Sequence, residues 1–250
     1  TTSIDPLLTM LPSCTENIPS SVPLMPINKV ATPHILVSES CTFSLKNRPN
    51  SSPKRPPIKM PAQLIRVPIR TVPSAFLCIL LQMEKLVNEG YKVIPIMSHT
   101  AYTTDTRFGK AREFNEQIEE ICKENIIYTI SGAEPIGPKE LLDVLVISPC
   151  TGNTLGKLAN GISDTSVTLA VKAHLRNQRP VIIAVSSNDA LGTSARNIGI
   201  LMNSKNIYFV PMEQDDYINK PNSIVADFRY IPDTVKEVLA TNNQPQPMLL

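Results

Sequence analysis

A chain of 250 residues with 24 Lys and Arg against 22 Asp and Glu makes one large domain or a domain with an appendage, of ordinary soluble composition. The longest apolar runs, FLCILL and LLDVLVI, fall far short of the roughly 18 residues that cross a bilayer, and the opening TTSIDPLL lacks a basic leader, so the chain is expected to be cytoplasmic with no membrane partner. Cys14, Cys41, Cys78, Cys122 and Cys150 are odd in number and contain no CxxC, which suggests neither a disulfide framework nor a zinc site.

Near neutrality hides two unlike parts. Residues 1–80 hold eight Lys and Arg against three Asp and Glu, together with 13 of the 23 prolines, whereas all nine glycines lie at or after Gly90. The basic residues alternate with proline rather than with aromatics, so a solvated coil is favoured over a nucleic-acid surface. Residues 1–75 are therefore expected to be disordered, with short edge strands at 31–39 and 63–72 as the exceptions.

From residue 76 the apolar spacing becomes helical through FLCILLQMEKLVNEG and stops at Gly90, a good helix-ending glycine. A strand follows at 91–98, then a polar loop at 99–109, an amphipathic helix at 111–125 and a short strand at 126–130. LLDVLVISP, at 141–149, is the continuous apolar run of a strand buried on both faces. Helices are read at 155–160 and 166–177, a strand at 179–187, a helix at 190–204, a strand at 206–211 and a last helix at 232–241. Strands alternating with helices at this spacing predict a doubly wound, three-layer α/β domain, Rossmann-like or flavodoxin-like, with a parallel sheet over 76–240 and a tail at 241–250. In such folds ligands sit at the carboxyl ends of the strands.

Three loops lie there. CTGNTLGK, 150–157, joins the most buried strand to a helix, so backbone N–H groups and the helix dipole face outward as a seat for phosphate. Thr151, Asn153 and Thr154 offer hydrogen bonds, Gly152 permits close approach and Lys157 lies one turn on. Capping of the helix by Thr151 or Asn153 accounts for the same residues equally well. VSSNDALG, 185–192, brings Ser186, Ser187 and Asn188 to a neighbouring strand end, with Asp189 as an N-cap for the next helix. The loop at 98–109 contains Arg107, able to hold a carboxylate in bidentate fashion or to form a surface ion pair. Asp105, Asp164 and Asp189 are candidates for a general base and equally for caps or surface charges. His34, His99 and His174 are too scattered for a metal set, His99 and His174 are read as structural, and Cys150 reads as a packing residue before a nucleophile.

SPCTGNTLGKLANGISDT, 148–165, resembles the signature of the flavoprotein family of FMN-binding cysteine decarboxylases and flavin prenyltransferases. There a strand ends in Pro-Ala-Ser/Thr-Ala-Asn-Thr, followed by Lys-(Leu/Ile)-Ala-x-Gly-(Ile/Met)-x-Asp. The match falls at Pro149, Thr151, Asn153, Thr154, Lys157, Ala159, Gly161 and Asp164. The resemblance implies FMN as cofactor, held by Thr151, Gly152, Asn153, Thr154, Lys157, Ser187 and Asn188. Within the family, segments from about Gln82 almost to the C-terminus are most similar to one component of a two-component synthase. This implies a partner component that uses NAD(P), a small dicarboxylate substrate gripped by Arg107, and homo-oligomers. An FMN-dependent decarboxylase and a non-catalytic scaffold for the partner are the rival readings.

Three departures bear on chemistry. The family's decarboxylases use a histidine after the second helix, and KENIIYTISGAEPIGP contains none, so that mechanism is not carried over. The family's Pro-x-Met-Asn signature survives only as Asn188. Family members also begin with a strand and a Gly-Ser/Thr loop that grips the flavin phosphate, where this chain has RTVPSAFLCILL and no upstream glycine. Residues 1–80 are accordingly expected to be a non-native start, such as a frame error or a gene join, with weak flavin binding and an exposed sheet edge as consequences.

Overall fold

The computed structural model describes residues 75–106 and 109–250, together with the backbone of His34–Ile35. That dipeptide forms β1, inside the expected 31–39 strand, whereas the expected strand at 63–72 and Arg107 lie outside the described residues.

Helix α1 (Ala75–Asn88) places Ile79, Met83 and Leu86 at four- and three-residue steps, and all three are fully buried. It ends where Gly90 adopts φ +89°, with the Gly90 and Tyr91 N–H groups turned back to Val87 O and Leu86 O. Strand β2 (Lys92–Val93) runs parallel to β1, in register His34 with Lys92 and Ile35 with Val93. The expected strand over 91–98 is cut short because Pro95 has no N–H to give to a ladder. Pro95 serves as an acceptor instead, from Ile127 N at 2.8 Å, while Met97 N donates to Ile127 O at 2.9 Å. These bonds reduce the expected strand at 126–130 to a single parallel bridge between Ile96 and Ile127. Helices α2 (His99–Thr103) and α3 (Ala111–Cys122) follow; α3 stops at Lys123, which sits in the left-handed region at φ 55°. A short α4 (Ile130–Ala133) and a 3₁₀ turn (Glu134–Ile136) lead to the centre of the sheet.

There, β3 (Leu145–Cys150) pairs parallel with β4 (Val181–Ser187), Leu145 opposite Val181 and Ile147 opposite Ile183. Leu145, Val146, Ile147 and every residue of 181–185 are fully buried, which explains the unbroken apolar runs. Between these strands lie α5 (Gly152–Ala159) and α6 (Ser166–Arg176), and after β4 comes α7 (Thr193–Met202). A capping box starts α6, Thr165 and Thr168 each accepting the other's backbone N–H. β5 (Ile207–Phe209) lies parallel along the first half of the other edge of β4. The second half of that edge pairs antiparallel with β7 (Ile224–Ala226), and β7 pairs antiparallel with β6 (Met212–Glu213). The parallel core is thus as expected, and the sheet is mixed because the chain doubles back after Pro211. A 3₁₀ turn (Phe228–Tyr230) precedes α8 (Ile231–Thr241).

Helix α1 packs on α3 and α8, whereas α6 packs on α4 and α5, and α5 on α7. Residues beyond α8 are tied down: the Gln244 side-chain amide exchanges two 2.8 Å bonds with the backbone of Phe209, and Met212 N donates to Met248 O at 2.9 Å.

Candidate functional site at the carboxyl rim of the sheet

The turn after β3 is built by its own side chains. Thr151 has extended backbone (φ −75°, ψ 161°), and its Oγ1 accepts from Thr154 N at 3.4 Å, so Thr151 is the N-cap of α5. That bond satisfies one of the opening N–H groups of the helix; those of Gly152 and Asn153, at its first two positions, have no intrahelical acceptor and face the rim. Thr154 is buried beneath them, while Thr151 and Asn153 are exposed. Lys157 does not reach back to this turn. Its Nζ pairs with Asp164 at 3.0 Å, and Ile162 N donates to Lys157 O, closing the bend in which Gly161 adopts φ +69°.

The second turn, after β4, lies against the first. A Cβ added to Gly152 would stand 2.9 Å from both Ser187 Oγ and Ser194 Oγ, and one on Gly156 would stand 3.5 Å from Asn197 Nδ2. The small residues of α5 therefore let it settle on α7 and on the end of β4, and the close approach at Gly152 is taken by serine hydroxyls. Ser187 Oγ also accepts from Asp189 N at 3.2 Å. Asn188 is exposed at the tip, its Oδ1 accepting from Ser223 Oγ at 3.4 Å, and Leu191 N donates to Asn222 O. The expectation that Asp189 caps α7 is corrected: the N-cap is Gly192, without a side-chain bond, and Asp189 contributes its backbone carbonyl to Gly192 N and Ser194 N. Its carboxylate lies against Gly192, where an added Cβ would meet Oδ1 at 2.1 Å.

The other candidates have structural duties. Asp105 Oδ1 accepts from Ala111 N at 2.8 Å, at the start of α3, and Asp164 is the partner of Lys157. Cys150 is fully buried, and loss of solvent pushes its thiol far above the ordinary range, which suits packing and not nucleophilic attack. His174 lies at the opposite end of the strands, its ring Nε2 3.1 Å from Pro180 O. Among the described residues there is no group of three His, Cys, Asp or Glu able to hold a metal.

Sequence reasoning passed over one feature of this rim. Tyr102 on α2 and Tyr128, next to the Ile127 bridge, stack with ring centroids 3.8 Å apart and planes 2° apart, and burial raises the Tyr102 phenol. Both follow carboxyl ends of parallel segments, and Ser166 Oγ at the start of α6 donates to Met97 O at 2.6 Å, joining this side of the rim to the α5–α6 bend. Nothing in the local pattern around AYTTD or IIYTI marks the pair, because only the fold brings the two rings together.

The rim thus presents free helix-opening N–H groups, hydroxyls and two exposed amides, a donor set suited to an anion. The sequence pattern of the Flavoprotein family matches residues 69–241, spanning the whole of this arrangement. The chain belongs to the Flavoprotein family. Flavoprotein-family relatives agree: it is 46% identical over 169 residues to the B subunit of dipicolinate synthase of Bacillus subtilis (strain 168), covering 68% of this chain and 84% of that one. The flavin prenyltransferase UbiX of Thermoplasma acidophilum is 27% identical over 103 residues, 41% of this chain and 56% of that one. The crystal structure of the dipicolinate synthase B subunit from Bacillus halodurans superposes with a TM-score of 0.65 at 44% identity, covering 72% of this chain and 92% of that chain. The family resemblance carried by residues 148–165 is upheld, and the mixed sheet with its flanking helices is the family fold.

Proposed function

We propose that this chain is the B subunit of a dipicolinate synthase, acting with that enzyme's nicotinamide-dependent A subunit, which binds NAD(P). The supporting observation is the 46% identity that extends over 84% of the Bacillus subtilis relative. On this reading the substrate is a dihydrodipicolinate-pathway intermediate, a small dicarboxylate, and the setting is the cytoplasm of the mother cell of a sporulating bacterium. The catalytic unit corresponds to residues 76–240.

FMN is the cofactor that family membership supports, and the donor set of the rim fits its phosphate. When bound, its ring system is an electron acceptor suited to forming an aromatic pyridine ring, which requires loss of water and of two hydrogens. The chain's own part is to bind and orient. The Gly152 and Asn153 N–H groups, with the Thr151 hydroxyl, hold an anionic group at the start of α5, and Asn153 and Asn188 approach from the two neighbouring turns. Thr154 and Ser187 brace those turns from below, and Lys157 fixes the bend through Asp164. Arg107 is assigned to a substrate carboxylate. Asp105 and Asp164 are each committed to a structural contact and the exposed Asp189 carboxylate only lies against Gly192, so none is assigned as general base.

The test is to purify the chain with its nicotinamide-dependent partner, identify the cofactor by its absorbance and mass, and assay dipicolinate formation with wild type, Asn153→Ala and Asn188→Ala. Both asparagines are exposed, so the variants are expected to fold and to lose activity by at least about tenfold, the effect of about 1.4 kcal/mol at the transition state. Full activity in both variants, with the partner merely stabilised, would establish the scaffold reading instead.

A further inference from the structure

Away from the rim, the outer side of the α5–α6 bend carries an open groove of about 350 Å³, at the small end of the roughly 300–1,000 Å³ range of small-molecule sites. Its walls are apolar: Leu158 and Ile162 come from α5 and the bend, Val171 and Leu175 from α6. Lys172 and Arg176 stand along it, one helical turn apart and both exposed. Neither cation meets a carboxylate among the described residues. Lys172 Nζ lies 3.4 Å from Ser163 Oγ, whereas Asp164 is held by Lys157, and Glu140 and Asp143 by Arg179.

Helix α6 sets two rows side by side. Val171 and Leu175 form an apolar row with a four-residue step, and Lys172 and Arg176 form a cationic row next to it with the same step. Exposed cations by themselves hold a bare anion weakly, so a ligand must also gain from the walls. A flat ring does this best, since it buries apolar surface between Leu158 or Ile162 and the α6 row with few torsions to freeze. Two cations one turn apart call for two carboxylates set about a ring's width apart. Arg176 offers a planar fork to one of them and Lys172 a point charge to the other.

We infer that the groove between α5 and α6 binds a planar aromatic dicarboxylate, its ring between the apolar walls and its carboxylates on Lys172 and Arg176. No residue of the groove is assigned to the rim site, so this is a second ligand site. Dipicolinate, the product proposed above, belongs to this chemical class. Its place as the natural occupant rests on that proposal, whereas the chemistry of the groove does not.

Titration calorimetry on the full chain tests it with isophthalate, a dicarboxylate that the proposed reaction does not make, alongside dipicolinate. Isophthalate is expected to bind with a Kd on the order of 0.1 mM, ordinary for a ligand of about a dozen heavy atoms. Benzoate, with one carboxylate, and glutarate, with two but no ring, are each expected to bind at least about tenfold more weakly. Lys172→Gln with Arg176→Gln is expected to weaken isophthalate at least about tenfold, and Ile162→Ser about threefold, with the circular dichroism of both unchanged. Asn153→Ala, at the rim, is expected to bind isophthalate as wild type does. No isophthalate binding, glutarate binding as tightly, binding indifferent to the groove variants, or binding lost in Asn153→Ala would each overturn the inference. Isophthalate binding in a chain that makes no dipicolinate with its partner would uphold the groove and remove the proposed function alone.

Discussion

Acidification should destabilise this fold through His174, and the size of the effect follows from where the ring sits. The side chain is 1% exposed at the end of α6, and its Nε2 faces Pro180 O, which also accepts Leu145 N at 3.1 Å. One carbonyl thus joins α6 to the first rung of the β3–β4 ladder. Burial is the main reason that the ring resists a proton; the Pro180 bond opposes that effect and the nearby charge of Arg179 adds to it, leaving the pKa lowered to about 3 from 6.5. Below pH 6.5 the unfolded chain takes up a proton here that the folded chain refuses until about pH 3. Stability present above pH 6.5 is therefore lost as pH falls, by about 2 kcal/mol at pH 5 and about 3 kcal/mol at pH 4. The assay is urea unfolding at pH 7, 6, 5 and 4 for wild type and His174→Gln, a variant that retains an amide donor and does not titrate. His174→Gln is expected to be less stable at pH 7, because the packing is disturbed, yet to lose about one proton's worth less stability between pH 6.5 and 4. The carboxylates are common to both chains and cancel in the comparison. Parallel stability curves for the two proteins would refute the reasoning.

Three further outcomes follow from the geometry. Gly152→Ala should cost about 1–3 kcal/mol through overpacking against Ser187 and Ser194, and Ser194→Ala in the same chain should recover part of that loss in thermal unfolding. Arg179 donates to Leu142 O, Asp143 Oδ1 and Glu140 Oε2 and is about a quarter exposed, so Arg179→Lys, which lacks the planar fork, should cost about 1–2 kcal/mol in chemical unfolding. Cys122 and Cys150 are buried with thiols pushed up by desolvation, so brief alkylation at pH 8 followed by peptide mass analysis should leave both unmodified in the folded protein and modify both in urea; rapid labelling of either in the native state would contradict the packing described.

What could be read along the chain was whatever is encoded within a few residues. The apolar run at 141–149 marked a strand buried on both faces, 179–187 marked its neighbour as a strand, and Gly90 marked the end of α1, because burial and backbone freedom act locally. The placing of the turns 151–157 and 186–189 side by side also followed from sequence, since parallel neighbours send their next segments out at the same edge. The tertiary structure decided what those residues do. β6 and β7, of two and three residues, are too short to show a period and exist only through their partners across the chain. Lys157 is claimed by Asp164, Gly152 by two serine hydroxyls and Asp189 by Gly192, while Tyr102 and Tyr128 meet face to face. Each is a long-range or bend-dependent contact: a side chain's chemistry is set by its type, but its partner is set by which segments the folded chain brings within a few ångströms.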